Sequence, residues 1–250
     1  MIFYLDPQHF IDTREPIDLS LALRASSDNP RAWYVEAPRM EAVRANGFVG
    51  SVAEGGAVNF RDVFFNPHGH GTHTESYGHI TPEIYPVSAA LDRFFYKATL
   101  ISVEPRLLPN GDRVVFADQL ESLLGSEYTE AILIRTMPNH QTKLHANYSG
   151  SNPCYVDVHV VDLLDQLETR HLLIDTPSVD REEDGGALAF HHAFWKVPSA
   201  PDPKRTITEL IYADSSVPDG NYVLELQVAH FVNDASPSRP LLYAINEKKD

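Results

Sequence analysis

Residues 68–79 read HGHGTHTESYGH and place four histidines, a threonine and a glutamate within twelve positions. Imidazole nitrogen and carboxylate oxygen are the donors that Zn²⁺ takes, and imidazole is also the side chain suited to proton transfer near neutral pH. His68 and His70 are two apart, as are His73 and Glu75. On extended backbone such residues share a face, so each pair can aim into one cavity, with His79 close enough to join. Gly69, Gly71 and Gly78 let the chain bend, and Thr72 can fix a turn or hold a ligand through its hydroxyl. A lone loop histidine is usually solvated or bonded to backbone. Four of them with a carboxylate, directly after a strand-like stretch, favour a metal or acid/base site.

Such a cluster needs rigid elements around it. Residues 17–23 (IDLSLAL), 95–105 (FYKATLISVEP), 130–136 (EAILIRT) and 171–180 (HLLIDTPSVD) have the apolar and β-branched content of strands. The run at 130–136 is too continuously apolar to have a wet face. Residues 47–65 suggest a hairpin with a Gly-Gly turn, and residues 205–212, 221–232 and 240–245 lean towards strand. Helical spacing occurs at 116–124, where Phe116, Leu120, Leu123 and Leu124 share a side, and at 156–168. Alternating strands and helices predict a single α/β domain over residues 1–250, with residues 1–16 as an N-terminal arm that could contact a partner.

Composition narrows the function. The formal charge of −15 comes from 35 acidic against 20 basic residues, and no basic stretch is interleaved with aromatics, which argues against nucleic acid and anionic membranes as partners. Cys154 is the only cysteine, so an intrachain disulfide and a sulfur-rich zinc site are excluded. No stretch of eighteen apolar residues and no leader-like N-terminus occurs, and the expected location is the cytoplasm. Neither a GxSxG elbow nor a glycine-rich phosphate loop is present. The His68, His70, Glu75 spacing approaches the first motif of a cupin oxygenase, but its flanking glycines are missing at Asp62 and Pro82, and the helix at 156–168 suits an all-β jelly roll poorly.

The stretch GHGTHTESYGH (69–79) resembles the HxGTHxDxPxH hallmark of the cyclase superfamily of metal-dependent hydrolases, which includes bacterial kynurenine formamidase. Gly71, Thr72, His73 and His79 are in register. DLS (18–20), LIRT (133–136), IDTPSVD (174–180), HHAFW (191–195), TITEL (206–210) and DASPSRP (234–240) are similar to family segments in the same order. The resemblance implies a mixed, partly barrel-like sheet flanked by helices, of the swivelling β/β/α type. It also implies one or two divalent ions, zinc first and manganese second. Carried over by position, His73, Glu75, His191 (or its neighbour His192) and Glu209 resemble the ligands, and His79 the general acid/base. Glu75 stands where the family has aspartate. The implied activity is that of an arylformamidase acting on a small substrate such as N-formylkynurenine, in tryptophan catabolism, by a homodimer or higher homo-oligomer.

Two departures matter. The motif's first histidine falls on Gly69 and its proline on Tyr77. Either His68 or His70 supplies the missing nitrogen, or one ion is bound where relatives bind two, or hydrolysis is lost and a binding protein remains on the same scaffold. Asp175 and Asp180 could orient ligands or merely cap turns. Trp33, Phe64, Phe65, Tyr77 and Trp195 are candidate pocket walls, although large aromatics are more often core.

Overall fold

Ala131–Thr136 and His171–Ile174 are buried at every position, as strands covered on both faces must be. They are neighbours in the middle of a nine-stranded sheet, in a computed structural model that describes residues 1–125 and 128–248. In chain order its strands are β1 (Ile17–Asp18), β2 (His73–Glu75), β3 (Phe95–Val103), β4 (Ala131–Thr136), β5 (His171–Ile174), β6 (Thr206–Glu209), β7 (Gly220–Glu225), β8 (Ala235–Pro237) and β9 (Leu241–Ala244). Across the sheet they run β8-β2-β6-β5-β4-β3-β7-β9-β1. The central strands β6, β5, β4 and β3 are parallel, and antiparallel strands extend them on both sides. The mixed sheet curls into a half-barrel with few helices, as expected.

Strand alternation divides the core. Ile132, Ile134, Leu172, Ile174 and Ile207 face the helices α1 (Ala117–Leu124), α2 (Val160–Gln166) and α3 (Ala189–Trp195), meeting Leu120, Leu164, Phe190, Phe194 and Trp195. Leu100, Leu133 and Leu173 face the other way, against Tyr96, Leu224, Leu242 and Leu19. Each such side chain, fully buried, contributes about 1.5–3 kcal/mol. At the start of α1, Phe116 N donates to Gln119 Oε1 at 3.0 Å, occupying a donor that helix geometry leaves free.

Several element boundaries differ from the sequence expectation. The strand at 17–23 stops after Asp18, whose carboxylate accepts from Ser20 N and Oγ and turns the chain. Residues 47–65 do not pair as one hairpin: Arg61–Phe64 pairs with Arg39–Ala42, and Phe48–Val49 with Arg44–Ala45. The helix expected at 156–168 begins at Val160, because Tyr155–Val156 pairs in parallel with Val114–Val115. The strand at 221–232 ends at Glu225. The N-terminal arm folds onto its own chain, with Ile2–Tyr4 and His9–Asp12 antiparallel and His9–Phe10 paired to Asn246–Glu247. Among the described residues no helix is long and apolar enough to cross a membrane.

Candidate active site

Strands β2 and β6 are antiparallel neighbours registered with His73 opposite Glu209 and Glu75 opposite Ile207. Side chains 73, 75 and 209 therefore emerge on one face, while Thr74 and Thr208 share the other with hydroxyls 2.8 Å apart. Thr72 anchors the start of β2, its hydroxyl donating to Leu210 O at 2.5 Å and accepting from Leu21 N at 2.8 Å. That hydroxyl is fully used in fixing the strand.

His73 is wholly buried, and its Nδ1 lies 2.9 Å from Gly71 O. A carbonyl can only accept, so Nδ1 carries a hydrogen, and in the neutral ring Nε2 is the nitrogen that keeps a lone pair. Among the described residues this buried Nε2 has no hydrogen-bond partner, and it lies 3.5 Å from Glu209 Oε2. Ligand atoms of His73, Glu75 and Glu209 lie within 4.8 Å of one another, and so do those of His68, Glu75 and His79. An unpaired lone pair beside two buried carboxylates is a donor set that suits a divalent cation, and the residues present fit one.

His191 enters from α3. Asp180 accepts from the backbone N–H groups of Phe190 and His191 and, at 2.6 Å, from His191 Nδ1, leaving Nε2 pointing at Glu75 Oε1 at 3.0 Å. One carboxylate thus starts the helix and orients its imidazole. Trp195 backs this ring at 5.1 Å between centroids and donates from Nε1 to Arg205 O. It is core rather than pocket wall. His192 turns away, half-buried, with Nδ1 3.3 Å from Val197 O.

His68 Nδ1 lies 3.0 Å from Glu75 Oε2, and its ring stacks on His79 at 4.2 Å. His70 points elsewhere: its Nδ1 accepts from Asn66 N at 2.7 Å and its Nε2 donates to Glu36 O at 2.6 Å. Both ring nitrogens of His70 are consumed by backbone, so of the two histidines flanking Gly69 it is His68 that reaches the cluster. A Cβ on Gly69 would stand 2.8 Å from Val35 Cγ2, so the position has little room for the family's histidine. His79 follows in a 3-10 turn, Tyr77–Ile80, begun by Ser76. Gly78 is needed there, since a Cβ would meet Tyr85 N at 2.4 Å. His79 Nε2 is 3.9 Å from Glu75 Oε2.

The charges interlock. Burial opposes ionisation of Glu75, but the imidazoles of His79, His191 and His68 outweigh it and hold the carboxyl well below its ordinary range. Burial, reinforced by Glu75, raises Glu209. Burial works against protonation of His68 and His191, yet hydrogen bonds to Asp234 and Glu75 in one case, and to Asp180 and Glu75 in the other, lift each to about 10.

The structure brings His68, His73, Glu75, His79, His191 and Glu209 together and leaves His70 and His192 outside. Asp175 is paired instead with Lys143 Nζ at 2.7 Å and with Thr136. Among the aromatics, Tyr77 stacks on Tyr85 at 4.6 Å beside the His79 turn. Phe65 lines a cavity of about 220 Å³ with His70 and Thr72, and Phe64 is exposed under Arg39. Trp33 is half-buried next to Ala32, whose N–H donates to Gly69 O. Asp234 was not among the expected site residues, yet its Oδ2 lies 2.9 Å from His68 Nε2 and 3.5 Å from His79 Nδ1. Only its place in the DASPSRP segment could have drawn attention to it.

Residues 17–181 match the family described as "Putative cyclase". Similar solved structures include a potential metal-dependent hydrolase with cyclase activity (16% identity, 92% of this chain and 97% of that one, TM-score 0.62). Another is a predicted metal-dependent hydrolase from Bacillus stearothermophilus (16%, 92% and 98%, TM-score 0.59). A third is an isatin hydrolase bound to the product analogue thioisatinate (14%, 92% and 92%, TM-score 0.67). At these identities the likeness is one of fold. No curated protein sequence gives a significant match.

Proposed function

The chain belongs to the cyclase family matched by residues 17–181, and on that premise we propose that it is a metal-dependent hydrolase cleaving a C–N bond at a small carbonyl group. The observation that carries this reading is the bare, buried Nε2 of His73 beside the carboxylates of Glu75 and Glu209. His73, Glu75 and Glu209 would hold the ion, with His191 and His68 completing the set around Glu75. Imidazole and carboxylate donors suit zinc first and manganese second. Such an ion polarises a carbonyl and brings the pKa of a bound water down to about 7.

The remaining work falls to the chain's own groups. Side-chain exposure is 31% for His79 against 21% for His68, 3% for His191 and none for His73. His79 is therefore the imidazole that an entering substrate meets first. With Nδ1 facing Asp234, its Nε2 can take a proton on the cluster side and return it to the leaving nitrogen. Glu75, flanked by three imidazoles, keeps negative charge fixed at the centre and needs no reorganisation as the proton moves. Tyr77 and Trp33 are the apolar surfaces assigned to the substrate.

Aryl formamides of the N-formylkynurenine kind are the first substrate class under this reading, supported by the resemblance of the histidine motif. Isatin is the second, supported by the fold shared with an isatin hydrolase. Self-association as a homodimer or higher oligomer belongs to the same reading, supported by the exposed Phe48, Phe60, Val63 and Phe64 between residues 47 and 65. Sedimentation of the purified protein tests it. The decisive experiment for function is a hydrolysis screen over formamides, isatin, lactones and esters with zinc, with manganese and with a chelator. Turnover of one carbonyl class, abolished by chelation and restored by metal, is expected. A chain that binds neither ion and turns over none of these compounds would be a binding protein on this scaffold, not a hydrolase.

A further inference from the structure

The carboxyl ends of the four parallel strands β3, β4, β5 and β6 lie along one edge of the sheet, and α/β sheets bind ligands in the crevice outside such ends. Glu209 ends β6 and belongs to the histidine and carboxylate cluster. The other three strands end on a separate cavity of about 360 Å³, reached by Pro105 after β3, by Thr136 at the end of β4 and by Asp175 after β5. None of the six cluster residues lines it. The two places are neighbours through the loop that follows β5: Leu210 N donates to Thr176 O at 3.0 Å, and Val179 N to Glu209 Oε1 at 3.1 Å.

Charge in this cavity is unbalanced. Its buried carboxylate, Asp175, is paired with Lys143 Nζ at 2.7 Å and accepts from Thr136 N and Oγ1 at 3.0 and 2.7 Å. Lys143 directs its other hydrogens to Thr136 O and Oγ1, at 2.6 and 3.0 Å, so this ion pair is complete in itself. Arg113 lines the same cavity, and among the described residues its guanidinium has no carboxylate or hydrogen-bond partner. The acid next to it in sequence, Asp112, is already occupied by Arg181, Asn110, Asn152 and Tyr155. Burial and then Asp175 push the Cys154 thiol up to about 11, so this part of the wall adds no negative charge. Thr142 and Tyr148 also line the cavity, with hydroxyls that bond to no described residue, and burial raises the Tyr148 phenol so that its hydrogen is kept. Met137, Pro138 and Pro153 supply apolar surface beside them. A guanidinium without a counter-ion, free hydroxyl donors and an apolar wall fit an anion with a small apolar body. We infer that this cavity is a second binding site, selective for a small organic carboxylate, with Arg113 as the charge partner and Thr142 and Tyr148 as hydroxyl donors. The site is independent of the hydrolase reading, because no cluster residue and no ion takes part in it.

The test is isothermal titration calorimetry of the full chain with benzoate as the probe and benzamide as its uncharged counterpart. Saturable binding of benzoate is expected, with benzamide at least about 10-fold weaker. Arg113 is exposed, so Arg113→Gln leaves the core untouched, and it should weaken benzoate binding by about 10-fold or more. Tyr148→Phe should weaken it about 2- to 10-fold. Benzoate affinity should agree within about twofold with and without added zinc, which separates this site from a carboxylate held by an ion at the cluster. No saturable binding up to about 10 mM benzoate, equal affinity for benzamide, or full affinity in Arg113→Gln overturns the proposal. Binding that appears only with zinc overturns it too, because the carboxylate then sits at the cluster. A protein that binds benzoate through Arg113 and hydrolyses nothing in the screen keeps this site and refutes the hydrolase reading, so the two failures are distinguishable.

Discussion

Glu209 Oε2 lies 3.5 Å from His73 Nε2 across the antiparallel pair β2 and β6, and the register of that pair puts them there. A slip of one residue in either strand would send the carboxylate to the opposite face, where Thr74 and Thr208 now meet. His73→Ala removes a fully buried cluster nitrogen that has no hydrogen-bond partner among the described residues. The expected outcome is loss of stoichiometric metal by elemental analysis and a fall in kcat/KM of at least about 100-fold, equivalent to about 2.7 kcal/mol. Full metal content in His73→Ala would refute its place among the ligands.

His191 and His192 offer a neighbouring pair with opposite expectations. His191 is held between Asp180 and Glu75, whereas His192 makes a single contact to Val197 O. His191→Ala should lower metal affinity by at least about 10-fold in a competition titration with a chromogenic chelator, and His192→Ala should leave it unchanged. The reverse ranking would mean that the wrong face of α3 had been assigned to the site.

The spacing within 68–79 revealed much of this cluster because its donors are local and β2 keeps the two-residue period of a strand. Glu209 and His191 were legible through short family-like segments, not through any chemistry of their own. Asp234 was legible only as the first residue of the DASPSRP segment: its place beside His68 and His79 arises from a ladder joining residues more than 150 positions apart, and one aspartate carries no periodic signal. The strand pairings around 39–64 were misjudged for a related reason. The Gly55–Gly56 dipeptide looks like a hairpin turn, yet here it closes a 3-10 turn, and pairing passes to the earlier strand Arg39–Ala42. The choice between His68 and His70 likewise needed the Asn66 and Glu36 backbone groups that occupy His70.

That choice separates two variants. His68→Ala removes an imidazole 3.0 Å from Glu75 and should weaken metal binding. His70→Ala strands Asn66 N and Glu36 O and should cost about 1–3 kcal/mol in urea unfolding while leaving metal content intact. Metal loss confined to His70→Ala would reverse the assignment.

Restoring the family's histidine, as Gly69→His, should harm the protein rather than improve it. The new Cβ would begin 2.8 Å from Val35 Cγ2 and 3.3 Å from Ala32 O, and overpacking of this kind costs about 1–3 kcal/mol. The readout is the urea midpoint together with metal affinity. A variant as stable as the parent and tighter for zinc would show that Val35 yields easily and that the site tolerates a conventional ligand.

Away from the cluster, His171 at the start of β5 provides a stability switch of known sign. Its Nδ1 lies 2.8 Å from Thr206 Oγ1 and its ring 4.1 Å from that of Tyr96, and it is buried. Burial pushes its pKa down to about 3; Glu130 and Asp92 favour the charged ring, while Arg170 and Arg93 oppose it. The unfolded chain takes up a proton as pH falls through about 6.5, and the folded protein does not until about 3. The group therefore contributes fully above pH 6.5, and its contribution is lost at up to about 1.4 kcal/mol per pH unit as pH falls towards 3. Between pH 7.5 and 5.5 the parent should lose on the order of 1 kcal/mol more unfolding free energy than His171→Gln, which cannot titrate. Subtracting the variant cancels the cluster histidines, which are common to both proteins. Equal losses in the two proteins would mean that His171 gains its proton as readily in the folded core as in the unfolded chain.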